Sequence, residues 1–147
     1  MRTATGHIAT IAAAFDLPEH DPRVQATVAG YGEEPERASF TGPTIDFVKY
    51  MRSGVSLRFT AGRLSSVFVY ALDDDGFTPY ADATGFIDGV DLASSSRDDV
   101  RAVLGEPYRS EESFDLFRIQ DQRVVHVTFD EGLIWKITVM ARDVSER

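Results

Sequence analysis

The chain of 147 residues is 43% hydrophobic and 11% aromatic, lacks cysteine and carries a formal net charge of −9. That length can bury a self-sufficient core without metal or disulfide, and the missing cysteines exclude thiolate catalysis and zinc–thiolate sites. The charge disfavours nucleic acid and anionic membrane surfaces, both of which need basic patches, and no apolar run reaches the roughly 18 residues of a membrane span.

Acidity of this kind either draws a basic partner or serves solubility alone. Arg2 precedes an Ala-rich stretch ending Ala12-Ala13-Ala14, but Thr3, Thr5, His7 and Thr10 interrupt it. It reads as a helix rather than a signal peptide, and the protein is expected in the cytoplasm. Ile8, Ile11, Ala12 and Phe15 mark one face of that helix, which Pro18 stops. Asp21 as N-cap and Pro22 at the first position open a second helix. Its stripe is Val24, Val28 and Tyr31, with Gly32 suited to end it. Residues Glu33 to Pro43 read as loop.

The period then changes to two. Strands are expected at Ile45–Met51, Val55–Thr60 and Leu64–Leu72, with turns at Ser53-Gly54 and Ala61-Gly62. Asp73-Asp74-Asp75-Gly76 ends this meander as a solvated turn, because a calcium loop spaces its ligands alternately and adds a distal glutamate. Phe77 to Leu92 is irregular, with a short strand near Phe77–Tyr80. Ser96-Arg97-Asp98-Asp99 resembles a capping box and opens a helix with Val100, Val103 and Leu104 buried, closed by Gly105-Glu106-Pro107. Strands return at Phe114–Ile119, Val124–Phe129 and Leu133–Met140.

The last two strands repeat an earlier hairpin. Val55, Leu57, Phe59, Gly62, Val67 and Val69 are followed, seventy positions later, by Val125, Val127, Phe129, Gly132, Ile137 and Val139. FDLPEHDPRV (Phe15 to Val24) is echoed seventy-five positions on by VDLASSSRDDV (Val90 to Val100), and each helix is followed by a Gly and then a Pro. Helix, stop and hairpin in the same order twice indicate an internal repeat. The expected fold is α+β in a single domain: two tandem units, residues 1–76 and 77–147, each a helix and a three- or four-strand meander. Together they form one antiparallel sheet of six to eight strands with helices on one face.

Helix, Gly-x-Pro stop and meander, written twice, resemble the beta-lactamase inhibitor protein fold. SSSRDDVRAVLGEP (Ser94 to Pro107) is similar to a segment of the outer-membrane assembly lipoproteins, which carry one related unit. The resemblance runs from about Phe15 to Met140. It implies helices on one sheet face and a second face left to bind protein. The cysteines of both groups are missing here, so it implies a relative without disulfide or lipid anchor, of the kind encoded as immunity proteins beside bacterial toxins.

Strand parity directs Val55, Leu57, Phe59, Val67, Val69, Val125, Val127, Phe129, Trp135, Ile137 and Val139 to the helices. Ser56, Arg58, Phe68, Tyr70, His126, Thr128, Lys136, Thr138 and Met140 face away, with Tyr50 joining them if its strand keeps register. Aromatics, methionine and arginine suit an interface. The candidate partner-binding set is therefore Tyr50, Arg58, Phe68, Tyr70, His126, Lys136 and Met140, with the acidic loops around Asp73, Asp74 and Asp75 and around Glu111-Glu112.

His7, His20 and His126 lack ligand-type spacing, no carboxylate pair is singled out by an apolar context, and no phosphate loop follows a strand. Neither catalytic residues, nor a metal, nor a cofactor is expected. The function expected is a non-enzymatic inhibitor or immunity protein. Its partner is another protein, a basic toxin among the candidates, with no role for nucleic acid or membrane, and the chain itself is a monomer or homodimer. The alternative is a small-molecule binder or enzyme with a pocket between sheet and helices.

Overall fold

Two hairpins set the geometry of the whole sheet. In the computed structural model, which describes residues 2–40 and 44–143, strand β3 (Val55–Thr60) turns into β4 (Arg63–Tyr70), and β7 (Val124–Asp130) turns into β8 (Leu133–Met140). Both loops are two residues long, Ala61-Gly62 and Glu131-Gly132, and all four residues have positive φ (52°, 78°, 51° and 82°). Such primed turns match the right-handed twist of the flanking strands. Each hairpin also carries an irregularity, between Arg58 and Phe59 in one and between Thr128 and Phe129 in the other. A bulge of this kind places one extra residue on the opposite strand, here Ser65 and Trp135.

The fold is α+β. Among the described residues one antiparallel sheet of eight strands runs in the order β1-β2-β3-β4-β8-β7-β6-β5. The outer strands are β1 (Glu36–Phe40), β2 (Ile45–Tyr50), β5 (Arg109–Ser110) and β6 (Phe114–Arg118). The two meanders meet at β4 and β8, where Phe68 pairs with Thr138. Beyond that ladder, Ala71 N–H donates to Trp135 O at 2.9 Å and Ala141 N–H donates to Ser65 O at 3.0 Å.

Three α-helices accompany the sheet: α1 (His7–Ala12), α2 (Pro22–Val28) and α3 (Arg97–Leu104). Helix α1 ends earlier than the Ile8-to-Phe15 stripe suggests, because Asp16 takes φ 67° and its N–H donates to Leu64 O at 2.9 Å. Asp21 caps α2 as expected, its carboxylate accepting from Arg23 N–H, but the helix stops at Val28 rather than reaching Gly32. The capping box on α3 forms, with the Ser96 hydroxyl accepting from Asp99 N–H and the Asp99 carboxylate accepting from Ser96 N–H. Ile8, Ile11, Val24, Val100 and Leu104 from the helices join Val55, Leu57, Val67, Val69, Val125, Val127, Ile137 and Val139 in a single apolar cluster. Among the described residues no helix is long and apolar enough to cross a membrane.

Several expectations change. Glu36–Phe40, read as loop, is the edge strand β1. Its ERASF sequence has no apolar alternation because four of its five residues are exposed, and the rest of the expected loop, to Pro43, lies outside the described residues, as do 144–147. Phe77–Tyr80 is not a strand. Only Phe77 bridges, to Asp74 across a tight turn. Trp135 does not enter the core. As the bulged residue it slips out of phase, and Ile134, fully buried, takes the inward position opposite Phe129.

Candidate functional site

The strand face turned away from the apolar cluster carries the candidate residues in three cross-strand rows. One runs Lys49, Ser56, Phe68, Thr138, His126, Leu116. A second runs Phe47, Arg58, Ser66, Met140, Val124. The third runs Tyr70, Lys136, Thr128, Phe114. Directly opposed side chains in an antiparallel sheet are close enough to touch. Within these rows Ser56, Ser66, Leu116, Val124 and Thr138 are buried, while Phe47, Lys49, Phe68, Tyr70, His126, Lys136 and Met140 stay partly exposed.

Of the candidate residues, Phe68, Tyr70, Lys136 and Asp75 line one open cavity of about 310 Å³. Its walls are completed by Phe40, Phe47, Lys49, Ser56 and Phe77, none of them in the candidate set. Phe77 arrives through the acidic run. Asp75 (φ 49°) and Gly76 (φ 86°) form a left-handed pair between Asp74 and Phe77. That reversal stacks the Phe77 ring on Tyr70 at 4.2 Å and 12°. Asp74 therefore serves the turn through its backbone, and Asp73 is exposed beside it. The segment following this turn runs close against Gly54, where a Cβ would collide with Thr78 O.

Phe40 and Phe47 pack edge-on at 5.9 Å, and Phe47 lies 6.3 Å from Phe68. Lys136 Nζ sits over three rings, Trp135 at 5.4 Å, Tyr70 at 5.8 Å and Phe68 at 5.9 Å. An ammonium is attracted to ring faces at this range. The bulge that removes Trp135 from the core thus delivers it to the open face beside Lys136.

Arg58 and Met140 lie in the row beside Phe47, outside the cavity lining. His126 is further across the sheet, stacked on Phe114 at 4.6 Å. Its imidazole hydrogen-bonds the Thr128 hydroxyl at 3.2 Å. Burial, with the charges of Lys136 and Arg109 added, pushes the His126 pKa below its ordinary value. Burial, with Asp74 and Asp75 nearby, raises Tyr70.

Tyr50 does not belong to this face. It pairs with Val55, which is buried in the apolar cluster, and its ring meets Tyr31 at 5.4 Å. Parity along β2 puts Phe47 and Lys49 on the open face and Val48 and Tyr50 on the other. The alternation IDFVKY is apolar in both phases, so the register of β2 was not legible from its own residues.

Among the described residues no group of three or more His, Cys, Asp or Glu is arranged to hold a metal ion. The cavity is walled by five rings together with Lys49, Ser56, Asp75 and Lys136. Comparison with known proteins returns no match to a family model, a curated sequence or a solved structure.

Proposed function

We propose that the chain is a non-enzymatic protein-binding module, of the inhibitor or immunity type, that engages another protein through the open face of its sheet. The observation that carries this is the ring-walled cavity on that face, with Phe40, Phe47, Phe68 and Tyr70 exposing apolar surface, backed by the buried Phe77, on a sheet face normally covered with polar groups. Aromatic residues bordered by cations are the composition of interface centres.

The one-sided architecture behind the proposal is a tandem duplication, residues 1–76 and 77–147, with all helices on the opposite face. Its support is geometric. Turn, bulge and ladder recur with the same seventy-residue offset: Leu57↔Val67 beside Val127↔Ile137, Phe59↔Leu64 beside Phe129↔Ile134. At the junction Phe68 pairs with Thr138, its own counterpart seventy positions on, as a pseudo-twofold axis between the halves requires. The resemblance to tandem inhibitor folds points the same way, and the cytoplasmic, monomeric or homodimeric state belongs to the same reading.

Phe68→Ala combined with Tyr70→Ala tests the proposal. The tagged wild-type chain should retain a defined protein from its native host, and the double variant should lose it while its melting temperature stays within a few degrees. Undiminished capture by the folded variant would contradict the reading.

A further inference from the structure

The sequence contains two lysines, Lys49 and Lys136, and both line the aromatic cavity. Arg58 lies on the same strand face, cross-strand from the cavity residue Phe47. All three side chains are partly buried, and among the described residues none makes an ion pair, whereas Arg37, Arg101 and Arg142 elsewhere each hold a carboxylate. Arg58 Nε is buried without any hydrogen-bond partner. The carboxylates nearest in the sheet, Glu36 opposite Lys49 and Asp75 on the cavity rim, pair with none of the three. In a chain of net charge −9, three cations without a carboxylate partner therefore lie on one aromatic surface.

We infer that the open face takes an acidic segment of its partner, one that inserts an aromatic or large aliphatic side chain into the cavity while its flanking carboxylates reach Lys49, Lys136 and Arg58. This rests on the open face being the binding surface, and adds to it the sign of the partner's charge. A partly buried cation without a carboxylate has lost hydration, and ring contacts such as those of Lys136 replace it only in part. An incoming carboxylate supplies a charge-assisted hydrogen bond at that position. A basic partner would leave these groups uncompensated and bring like charge against them, which costs affinity and selects against it. The cavity volume lies at the low end of ligand sites, roughly 300–1,000 Å³, room for one large side chain rather than a folded ligand. Basic surfaces attracted to the remaining negative charge would dock elsewhere on the molecule.

Three synthetic peptides test this by titration calorimetry and amide-shift mapping on the intact chain: Asp-Asp-Phe-Asp-Asp, the same with lysine for each aspartate, and the same with serine for phenylalanine, all with capped ends. The acidic aromatic peptide should bind about tenfold or more tightly than either of the others, and should weaken severalfold when salt rises from about 0.05 to 0.3 M. Its shifts should centre on Phe47, Phe68 and Tyr70. Lys136→Met should weaken it about tenfold, and Asp75→Asn should strengthen it, a gain that no folding defect can imitate. Equal or tighter binding of the lysine peptide at these amides would overturn the acidic assignment while leaving the face as the binding surface. Absence of shifts there with every peptide would overturn both.

Discussion

Asp115 and Val48 occupy corresponding places in the two meanders, opposite Val127 and Leu57, and both are buried. A carboxylate can replace an apolar side chain there because α3 supplies its partners. Arg101 Nε and Nη2 donate to both carboxylate oxygens at 2.9 and 3.0 Å, Ser110 donates at 2.6 Å, and Arg97 stands at 3.7 Å. Burial alone would raise the Asp115 pKa, but the bonds from Arg101 and Ser110 and the charge of Arg97 outweigh it and hold the carboxyl below its ordinary value. With the folded pKa depressed, the stabilisation is present above the unfolded value of about 3.9 and is lost as pH falls through the folded one. Asp115→Ala should cost about 3 kcal/mol, the low end for breaking a buried pair, since both guanidiniums keep nearly a third of their side chains in solvent. Urea denaturation at pH 7 and pH 3 should show that difference shrinking at the lower pH, and a constant difference would assign the cost to packing alone. The Asp115→Val, Arg101→Leu double variant, whose first change copies Val48 of the first meander, should recover most of the loss.

At the scale of elements, the primed hairpin turns hold Ala61 and Glu131 at φ 52° and 51°, a region that costs a residue with a β-carbon about 1–2 kcal/mol and that asparagine enters more readily. Ala61→Asn and Glu131→Asn should each raise stability by about 0.5–1 kcal/mol, read as an upward shift in the urea midpoint. A fall for either would mean that the loop is not the type its dihedrals describe. These hairpins were also the most legible part of the chain, since period-two alternation around a single glycine has no helical counterpart. What the alternation could not carry was the bulge. One extra residue reverses phase within β8, so Trp135, apparently inward by counting, stands outward, and Ile134 takes its place. Edge strand β1 escaped for a different reason, having no buried face to impose a pattern. Phe40, Phe47, Lys49 and Phe77 were missed as cavity residues because each depends on such a feature: an edge strand, an ambiguous register, or a turn that folds Phe77 back on Tyr70.

Across the whole molecule, strand register sorts the side chains onto two faces. The helices and one strand face share a single core. The other face brings rings together with Lys49, Arg58 and Lys136. That sorting does not follow from composition, which suggested attraction of basic partners. It emerges only when strand register assigns Lys49, Arg58 and Lys136 to one surface. Joining two meanders edge to edge at β4 and β8 makes the single broad sheet. Phe40 is 57% exposed at the cavity rim and Ala26 is exposed on α2, and under the proposed function the partner reaches the first and not the second. Replacing each in turn by the photoreactive p-benzoylphenylalanine and irradiating the chain with its captured partner tests the account most directly. An adduct from position 40 and none from position 26 is the predicted result; an adduct from position 26 alone would contradict it.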